Sequence, residues 1–548
     1  MIQAVWRRAR RAPSDPPAGP RILAAGPGSP MQQLSEHDAA FLASDSAHAN
    51  ANVSLLHIYD QSTVPGGRLR FKTLLAHIES RMGASPLFRR KLMRLPLDLD
   101  RPYWVEDEQF DLEYHVRHIA LPKPGDWRQF CIQVSRIHAR PLDLTRPLWE
   151  MYVIEGLDSF VDLPPGSFAL LTKTHHAALD FENDAELVTL LHDTRAEAVA
   201  APPPAPWFAE SAPAMLPLLA RGAARVLRAP RRLVAPLARR ALRSAPEHLA
   251  LAGRRLLQDA GFEPTRFNSV VSPHRVFETR RFAAEEVERI RAAVPGATVD
   301  DVILAVCGGA LRAYLDGHGE LPAASLRALL TAPDGQADGA DLLRGLAAMQ
   351  RGLGTDIEDP LQRLREVQRQ GRRHAGSRGG EPGGPQRART DGTAPVEAAA
   401  TTGPAEPGRR PTAAGLVHAA KAMARAALGE SVPLAHCSIT HVPGPEQPMY
   451  LCGARLTYFS AMLPIADGMG LALAVTSVEG RLIISPTSCR ELLPDPERLA
   501  QCLRDSFQAL LAAAEPAAPA KRSRAARARP ARPRASASGR PARPSPRA

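Results

Sequence analysis

The segment KTHHAALDFEND, residues 173–184, places two adjacent histidines shortly before an aspartate. His175 and His176 stand five and four residues ahead of Asp180. The preceding residues FALLTKT are rich in strand-forming types, and the following DAELVTLLHD has the apolar spacing of a helix. The sequence therefore predicts that the histidines lie at the end of a strand, before a helix. Such strand-to-helix turns are where α/β proteins expose reactive groups on a rigid support.

A metal site is one interpretation of this segment, because His and Asp are common metal ligands. Neighbouring side chains of an extended chain point to opposite faces, so His175 and His176 cannot easily aim at one ion. Zinc-binding helices space their histidines four residues apart instead. The pattern therefore disfavours a metal, and we expect no bound metal or other cofactor.

Proton transfer is a second interpretation. An acyl-enzyme route needs a Ser or Cys beside its base, and the chain has no G-x-S-x-G motif and no cysteine near the pair in sequence. A neutral imidazole, with an ordinary pKa near ~6.5, can instead accept a proton from a hydroxyl that attacks an activated acyl group. One histidine would then act as the base while the other packs. From these residues alone, two ordinary core or surface histidines remain an alternative.

The basic residues are concentrated at the ends of the chain. The formal net charge is +12 over 548 residues, a balance that often indicates nucleic-acid or membrane binding. Residues 521–548 carry ten Lys/Arg and no acid, and residues 1–30 carry five Arg and one Asp, so the rest has 54 basic and 56 acidic residues. A basic tail without aromatic residues can contact phosphates but cannot stack on bases, so we expect no specific nucleic-acid partner.

Cysteine spacing and the length of apolar runs indicate the cellular compartment in which the protein is expected. The six cysteines form no CxxC pair, so neither a disulfide framework nor a zinc knuckle is indicated. No apolar run reaches the roughly 18 residues of a membrane span, and the N-terminus lacks the apolar core of a signal peptide. We expect a cytoplasmic protein, and peripheral contact with the inner membrane or with lipid droplets remains open.

Composition divides the chain into two patterned regions, a linker between them and unpatterned ends. The linker includes LLARGAARVLRAPRRLVAPLARRALR, which is typical either of a membrane-surface element or of a helix packed on its own protein with solvated arginines. The expected parts are an N-terminal extension that is disordered or precedes the true start (1–30), a first folded region (31–195), a Pro/Ala/Arg-rich linker with amphipathic helices (196–265), a second folded region (266–515) with a disordered insertion at about 375–410, and a disordered basic tail (516–548).

Several segments carry a family resemblance. HHAALD with its preceding strand resembles the HHxxxDG motif of the CoA-dependent acyltransferase superfamily, which includes chloramphenicol acetyltransferases and peptide-synthetase condensation domains. Other segments are similar, in the right order, to landmarks of the bacterial wax ester synthase/diacylglycerol acyltransferase family. These are LSEHDAAFL, FDLEYHVRHIALPKPG, RPLDLTRPLWEMYVIEGL, TRFNSVVSPHRVF, TVDDVILAVCGGALRAYL, DPLQRLREVQ and HVPGPEQPMYLCGARL.

This resemblance implies an α/β protein of two chloramphenicol-acetyltransferase-like lobes with a tunnel between them. Acyl-CoA, a co-substrate rather than a bound cofactor, would enter at one end, and diacylglycerol or a fatty alcohol at the other. On matching positions, His176 would be the general base, His175 its structural neighbour, and Asp180 a buried carboxylate paired with an arginine. A donor to the oxyanion is also required, and the sequence does not name it.

The chain departs from the family pattern at a few positions. The glycine after the motif aspartate is Phe181, the Asn-Asp pair is Asp300-Asp301, and the Asn before the VPGP turn is His441. Asp300 and Asp301 would be structural or would lie on the acceptor side. Phe181 would strain the loop if the position needs a positive φ, or narrow the tunnel if it needs only space.

Two functions follow from these observations. The first is an O-acyltransferase that makes triacylglycerol or wax ester, with His176 as its base. The second, motivated by Phe181 and Asp300, is a catalytically degenerate homologue that binds acyl chains or lipid droplets without turnover.

Overall fold

The described part of the chain is discontinuous. A computed structural model describes residues 32–96, 100–157, 159–160, 163–179, 190–197, 207, 218–219, 262–331, 349–378, 435–442, 444–445 and 447–515. The predicted helix after the histidine pair, most of the linker, residues 379–410 of the predicted insertion and the predicted disordered ends lie outside these ranges. Leu218, the first residue of the Arg/Leu-rich linker segment, is buried against Leu95 and Tyr103.

The described residues form eight helices and fifteen strands, apart from short 3-10 turns. The helices are α1 (Glu36–Ser44), α2 (Phe71–Arg81), α3 (Leu112–His115), α4 (Trp127–Ala139), α5 (Ala284–Ala293), α6 (Val299–Asp316), α7 (Pro360–Arg378) and α8 (Pro496–Ala514). The strands are β1 (Asn52–Asp60), β2 (Arg90–Met93), β3 (Tyr103–Glu106), β4 (Val116–Ala120), β5 (Trp149–Glu155), β6 (Phe168–His175), β7 (Arg275–Phe277), β8 (Arg280–Ala283), β9 (Arg327–Thr331), β10 (Gln350–Gly352), β11 (Cys437–Val442), β12 (Tyr450–Leu451), β13 (Ala454–Met462), β14 (Ala472–Val478) and β15 (Arg481–Cys489).

The first large sheet carries the histidine pair at one strand end. Its six strands run in the order β12-β13-β1-β6-β5-β4, and only the β4–β5 pairing is parallel. Strands β5 and β6 are buried along almost their whole length, as expected for strands covered on both faces. The strand predicted to end at the histidine pair is confirmed as β6.

The second large sheet is built from the later part of the chain. Its path is β10-β9-β11-β14-β15-β7, with β8 also paired to β15. Parallel β9–β11–β14 pairings combine with antiparallel β14–β15 pairing. One side packs against α5, α6 and α8 in a continuous apolar core. The architecture is therefore a mixed α/β fold with two large sheets and a small one formed by β2 and β3, which confirms the predicted fold class.

A strand exchange joins the two halves of the sequence. Strand β13 pairs antiparallel with β1, from Ser54 opposite Met462 to Asp60 opposite Arg455. A strand from the later region thus lies next to the one that supports the histidine-bearing β6. The chain also passes directly from one sheet to the other here, because β13 of the first sheet is followed in sequence by β14 of the second.

Local signals set the bounds of the helix that carries the two adjacent aspartates. Thr298 caps α6 by accepting a hydrogen bond from the Asp301 amide, and the Asp301 carboxylate accepts one from the Thr298 amide, 2.8 Å away. Gly317 ends the helix. A threonine followed three residues later by an acid, and a glycine after the last turn, are residue types that favour these two helix ends. Within the described residues, no helix combines the length and apolar character needed to cross a membrane.

Candidate active site

The backbone around the two histidines is fixed by its neighbours on both sides. His175 is the last residue of β6 and pairs with Asn52 of β1. Its amide donates to the carbonyl of Leu148, 3.0 Å away, and the His176 amide donates to the carbonyl of Ala51 at 2.8 Å. The chain therefore turns away from the sheet at a point held by two other segments.

The imidazole of His175 is held in one tautomer. Its Nδ1 accepts a hydrogen bond from the Ala177 amide at 3.1 Å, so that atom carries no proton. The proton is then on Nε2, which lies 3.1 Å from Oδ2 of Asp45 and donates to it. A buried ring with both nitrogens engaged in this way is a support for the turn, because it has no nitrogen left for a substrate.

The imidazole of His176 is stacked and almost fully buried. His176 begins the short 3-10 turn His176–Ala178. Its ring centroid lies 3.6 Å from that of Phe41, with 16° between the ring planes. Only 3 % of the residue is exposed. Packing against Phe41 restricts the ring to a narrow range of orientations, which is the preorganisation that a catalytic base needs.

Helix α1 supplies both of the side chains that support the histidines. Ser35 caps its N-terminus by accepting a hydrogen bond from the Asp38 amide, and Asp45 follows its last residue. Phe41 lies on the buried face, in an apolar cluster with Leu34 and with Ala177 of the histidine turn. Sequence analysis quoted LSEHDAAFL for its family resemblance but did not identify Phe41 or Asp45. No local signal identifies them, because both reach the turn through contacts between residues more than a hundred positions apart.

A buried ion pair lies beneath the turn. Lys173, two residues before His175, donates to Oε2 of Glu150 at 3.2 Å and to the carbonyls of Ile137 and Arg140. Burial lowers the pKa of the Lys173 ammonium and Glu150 opposes that shift. All three protons of the ammonium are thus engaged, and they join β6 to β5 and to the end of α4. Lys173 was also absent from the sequence-based candidates.

The remaining sequence-based candidates either lie on other elements than the histidine turn or fall outside the described residues. Asp180 and Phe181 are outside the described residues. Asp300 and Asp301 open α6, where Asp301 is engaged in the cap. Asp300 is exposed to solvent, but protein atoms crowd around it, and the loss of hydration together with the carboxylate of Asp301 raises its pKa to about 6. His441 lies on β11 opposite Val475, and burial lowers its pKa to about 4.

The described residues show no metal-type cluster. Among them, no group of three or more His, Cys, Asp or Glu side chains is placed to hold a metal ion. At the turn, the imidazole of His175 is oriented by hydrogen bonds, and that of the adjacent His176 is stacked on Phe41. Chemically, an imidazole held as that of His176 is can accept a proton and return it without changing its position.

Comparison with protein families identifies two matching regions. A model described as the wax ester synthase/diacylglycerol acyltransferase catalytic domain matches residues 34–303. A second, described as the WS/DGAT C-terminal domain, matches residues 412–511. A putative diacylglycerol O-acyltransferase of Mycobacterium tuberculosis is 31 % identical over 505 residues, covering 88 % of this chain and 90 % of the relative. The O-acyltransferase WSD of Acinetobacter baylyi is 30 % identical, covering 77 % of this chain and 84 % of the relative.

Solved structures give the same fold. A wax ester synthase/diacylglycerol acyltransferase from Marinobacter aquaeolei superposes with a TM-score of 0.61 at 22 % identity, covering 88 % of this chain and all of that chain. A trichothecene 15-O-acetyltransferase from Fusarium sporotrichioides matches with a TM-score of 0.52 at 10 % identity, covering 88 % of this chain and 95 % of the other.

Proposed function

Because the chain belongs to the wax ester synthase/diacylglycerol acyltransferase family, and is therefore an O-acyltransferase, we propose that it moves a fatty acyl group from acyl-CoA to diacylglycerol or a long-chain alcohol. The products are triacylglycerol or wax ester. The matching family model is described as wax ester synthase/diacylglycerol acyltransferase, and one relative is named a diacylglycerol O-acyltransferase, which supports these acceptors. Triacylglycerol and wax ester remain joint candidates, because the acceptor depends on the shape of the passage that leads to the base.

In the proposed mechanism, His176 is the general base of a direct transfer. Its imidazole takes the proton of the acceptor hydroxyl while the hydroxyl oxygen attacks the thioester carbonyl carbon. The tetrahedral intermediate then collapses, the carbon–sulfur bond breaks, and the departing thiolate takes the proton back from the imidazolium. The new ester and free CoA leave, and the base returns to its neutral form.

His175 acts on this reaction through the position of the turn. Its ring links the Ala177 amide to the carboxylate of Asp45, so the turn that begins with His176 cannot rotate without breaking a buried hydrogen bond. We propose that Asp180 adds a second support to the loop by pairing with an arginine that the sequence does not identify. Asp301 is structural in this account, and Asp300 faces the acceptor side.

Access to His176 is the main physical requirement of this mechanism. With 3 % of the residue exposed, a substrate can reach the ring only through a narrow passage. We propose that this passage is a tunnel between an N-terminal lobe within 31–195 and a C-terminal lobe within 266–515. A tunnel suits the substrates, since it removes both alkyl chains from water while the reaction proceeds.

The observation that carries the proposal is the fixed pair of imidazoles at the end of β6, one bonded to Asp45 and one stacked on Phe41. To test the function, purified protein is incubated with labelled acyl-CoA and either diacylglycerol or hexadecanol, and neutral lipids are separated by thin-layer chromatography. We expect a labelled triacylglycerol or wax ester band that needs both substrates. Folded protein that forms neither band would contradict the proposal and favour acyl-chain binding without turnover.

A further inference from the structure

The segment 45–51 joins α1 to β1, and its first and last residues form hydrogen bonds with the two histidines. Its first residue, Asp45, bonds to His175 through Oδ2 and accepts the Ala51 amide through Oδ1 at 2.8 Å. Its last residue, Ala51, accepts the His176 amide. Any displacement of this segment therefore moves the direct supports of both imidazoles.

Three contacts within and beside the segment make it a stiff unit. The Ser46 amide donates to the Ala49 carbonyl at 2.7 Å, and the Ser46 hydroxyl accepts from the Ala49 amide at 3.1 Å. The Asn50 side chain donates to the carbonyl of Ala139, at the end of α4. A displacement of His48, in the middle of the segment, therefore also displaces Asp45 and Ala51.

That middle position is attached to the later half of the chain. Arg275, the first residue of β7, is only 7 % exposed. Its Nη2 donates to the His48 carbonyl at 2.9 Å, and its Nη1 donates to the Ser272 carbonyl. The His48 ring also lies 3.2 Å from Oδ2 of Asp467, whose Oδ1 accepts the Val271 amide.

From these contacts we infer that Arg275 is a positioning residue for the acyl transfer, acting through the segment 45–51. The guanidinium fixes the distance between β7 and His48, and the stiff segment passes that constraint to Asp45, whose Oδ1 also holds the Ala51 amide. The second sheet thereby controls the orientation of imidazoles that belong to the first sheet. This inference rests on the proposed function.

Substitution of Arg275 tests the inference by separating kcat from KM. Arg275→Met removes both hydrogen bonds but keeps the apolar stem, and we expect kcat to fall about tenfold to a hundredfold while the KM for acyl-CoA stays within about twofold. Arg275→Lys can reach only one of the two carbonyls, so its kcat should lie between those of the wild type and Arg275→Met. Arg266→Met is the matched control, because Arg266 pairs with Glu320 rather than with this segment.

A double-mutant cycle with Asp45→Asn gives the decisive result. If Arg275 acts through Asp45, the double variant should lose little more than Asp45→Asn alone, within about twofold in kcat. Losses that multiply, an unchanged kcat in Arg275→Met, or a raised KM with unchanged kcat would each overturn the inference. If Arg275→Met does not fold, the same cycle is run with Asp467→Asn, which removes the charge facing His48 and is read by the same criteria.

His176→Ala separates the inference from the function on which it rests. If the wild type forms no product, the proposed function fails, and if His176→Ala keeps the wild-type rate, the base role of His176 fails. If it is inactive and the cycle losses multiply, only the role of Arg275 fails.

Discussion

His175 and Asp45 are 130 residues apart in the chain, yet Nε2 of the histidine lies 3.1 Å from Oδ2 of the aspartate. The Ala177 amide occupies the other ring nitrogen. The carboxylate therefore selects the tautomer and fixes the rotation of a histidine that itself has no access to substrate. The first histidine of the pair is in this way a support for the second.

Asp45→Asn should lower kcat by about a hundredfold, because small displacements at a reacting group cost that much. An amide of the same shape can still accept the Ala51 amide, but it can present its NH₂ group to the Nε2 proton of His175. Steady-state rates of CoA release measure the effect. Asp60→Asn is the control, since Asp60 caps a short turn at the other end of β1. A wild-type rate in Asp45→Asn would remove His175 from the mechanism.

Phe41→Leu should reduce kcat by about tenfold with little change in the KM for acyl-CoA, since it removes the ring that holds the imidazole of His176. Phe282→Leu is the control. Phe282 is another buried phenylalanine, and its ring packs at a tilt against that of Phe507 in the core of the second sheet. Both variants should lose similar thermal stability. If their kcat values fall equally, the stacking on His176 has no special role.

His138 should make the protein sensitive to acid. Burial, Arg275 and Lys173 lower its pKa to about 3, and its Nδ1 lies 2.8 Å from the Ser54 hydroxyl. Below the unfolded pKa of about 6.5 only the unfolded chain binds the proton, so stability is complete above that pH and is lost as the pH falls toward the folded value.

Urea unfolding at pH 6.5 and pH 5 measures this effect. Over that interval the free energy of unfolding should fall about 2 kcal/mol more for the wild type than for His138→Gln, at about 1.4 kcal/mol per pH unit. His274→Gln, at an exposed histidine, should behave as the wild type does. Parallel curves for the wild type and His138→Gln would show that the buried ring does not resist protonation.

Asp300→Asn should stabilise the protein at neutral and alkaline pH. Burial and Asp301 raise the pKa of Asp300 to about 6, although the helix N-terminus alone would favour the carboxylate. A raised carboxyl pKa means that stability is lost as the pH rises from the unfolded value toward the folded one. The melting temperature of Asp300→Asn should therefore exceed that of the wild type at pH 8, and the difference should shrink at pH 4.

The control for this substitution is Asp505→Asn, which removes an exposed carboxylate on α8. It should leave the pH dependence of the melting temperature unchanged. A lower melting temperature for Asp300→Asn than for the wild type at pH 8 would show that the helix dipole outweighs burial and Asp301.

The sequence predicted the elements that are determined by interactions between residues close together in the chain. The strand end at His175 and the start of α6 at Thr298 follow from residue types within a few positions of each other. The strand end depends on a run of strand-forming residues and the helix start on a capping residue. Both act over a few residues of chain, so a single sequence contains the relevant information.

The supports of the site could not be predicted in this way. Asp45 and Phe41 reach the histidines only because α1 packs on the turn, a contact across more than a hundred residues. The exchange of β13 into the first sheet likewise depends on a pairing between Ser54 and Met462. Such contacts arise from the shape of the whole fold and leave no periodic pattern in the local sequence.

The rate of CoA release by purified wild type and His176→Ala, with acyl-CoA and diacylglycerol or hexadecanol, tests the central claim most directly. The account predicts that His176→Ala lowers kcat by about 10²-fold to 10⁴-fold while the melting temperature and the KM for acyl-CoA stay close to the wild-type values. Equal rates of CoA release from the two proteins would contradict it.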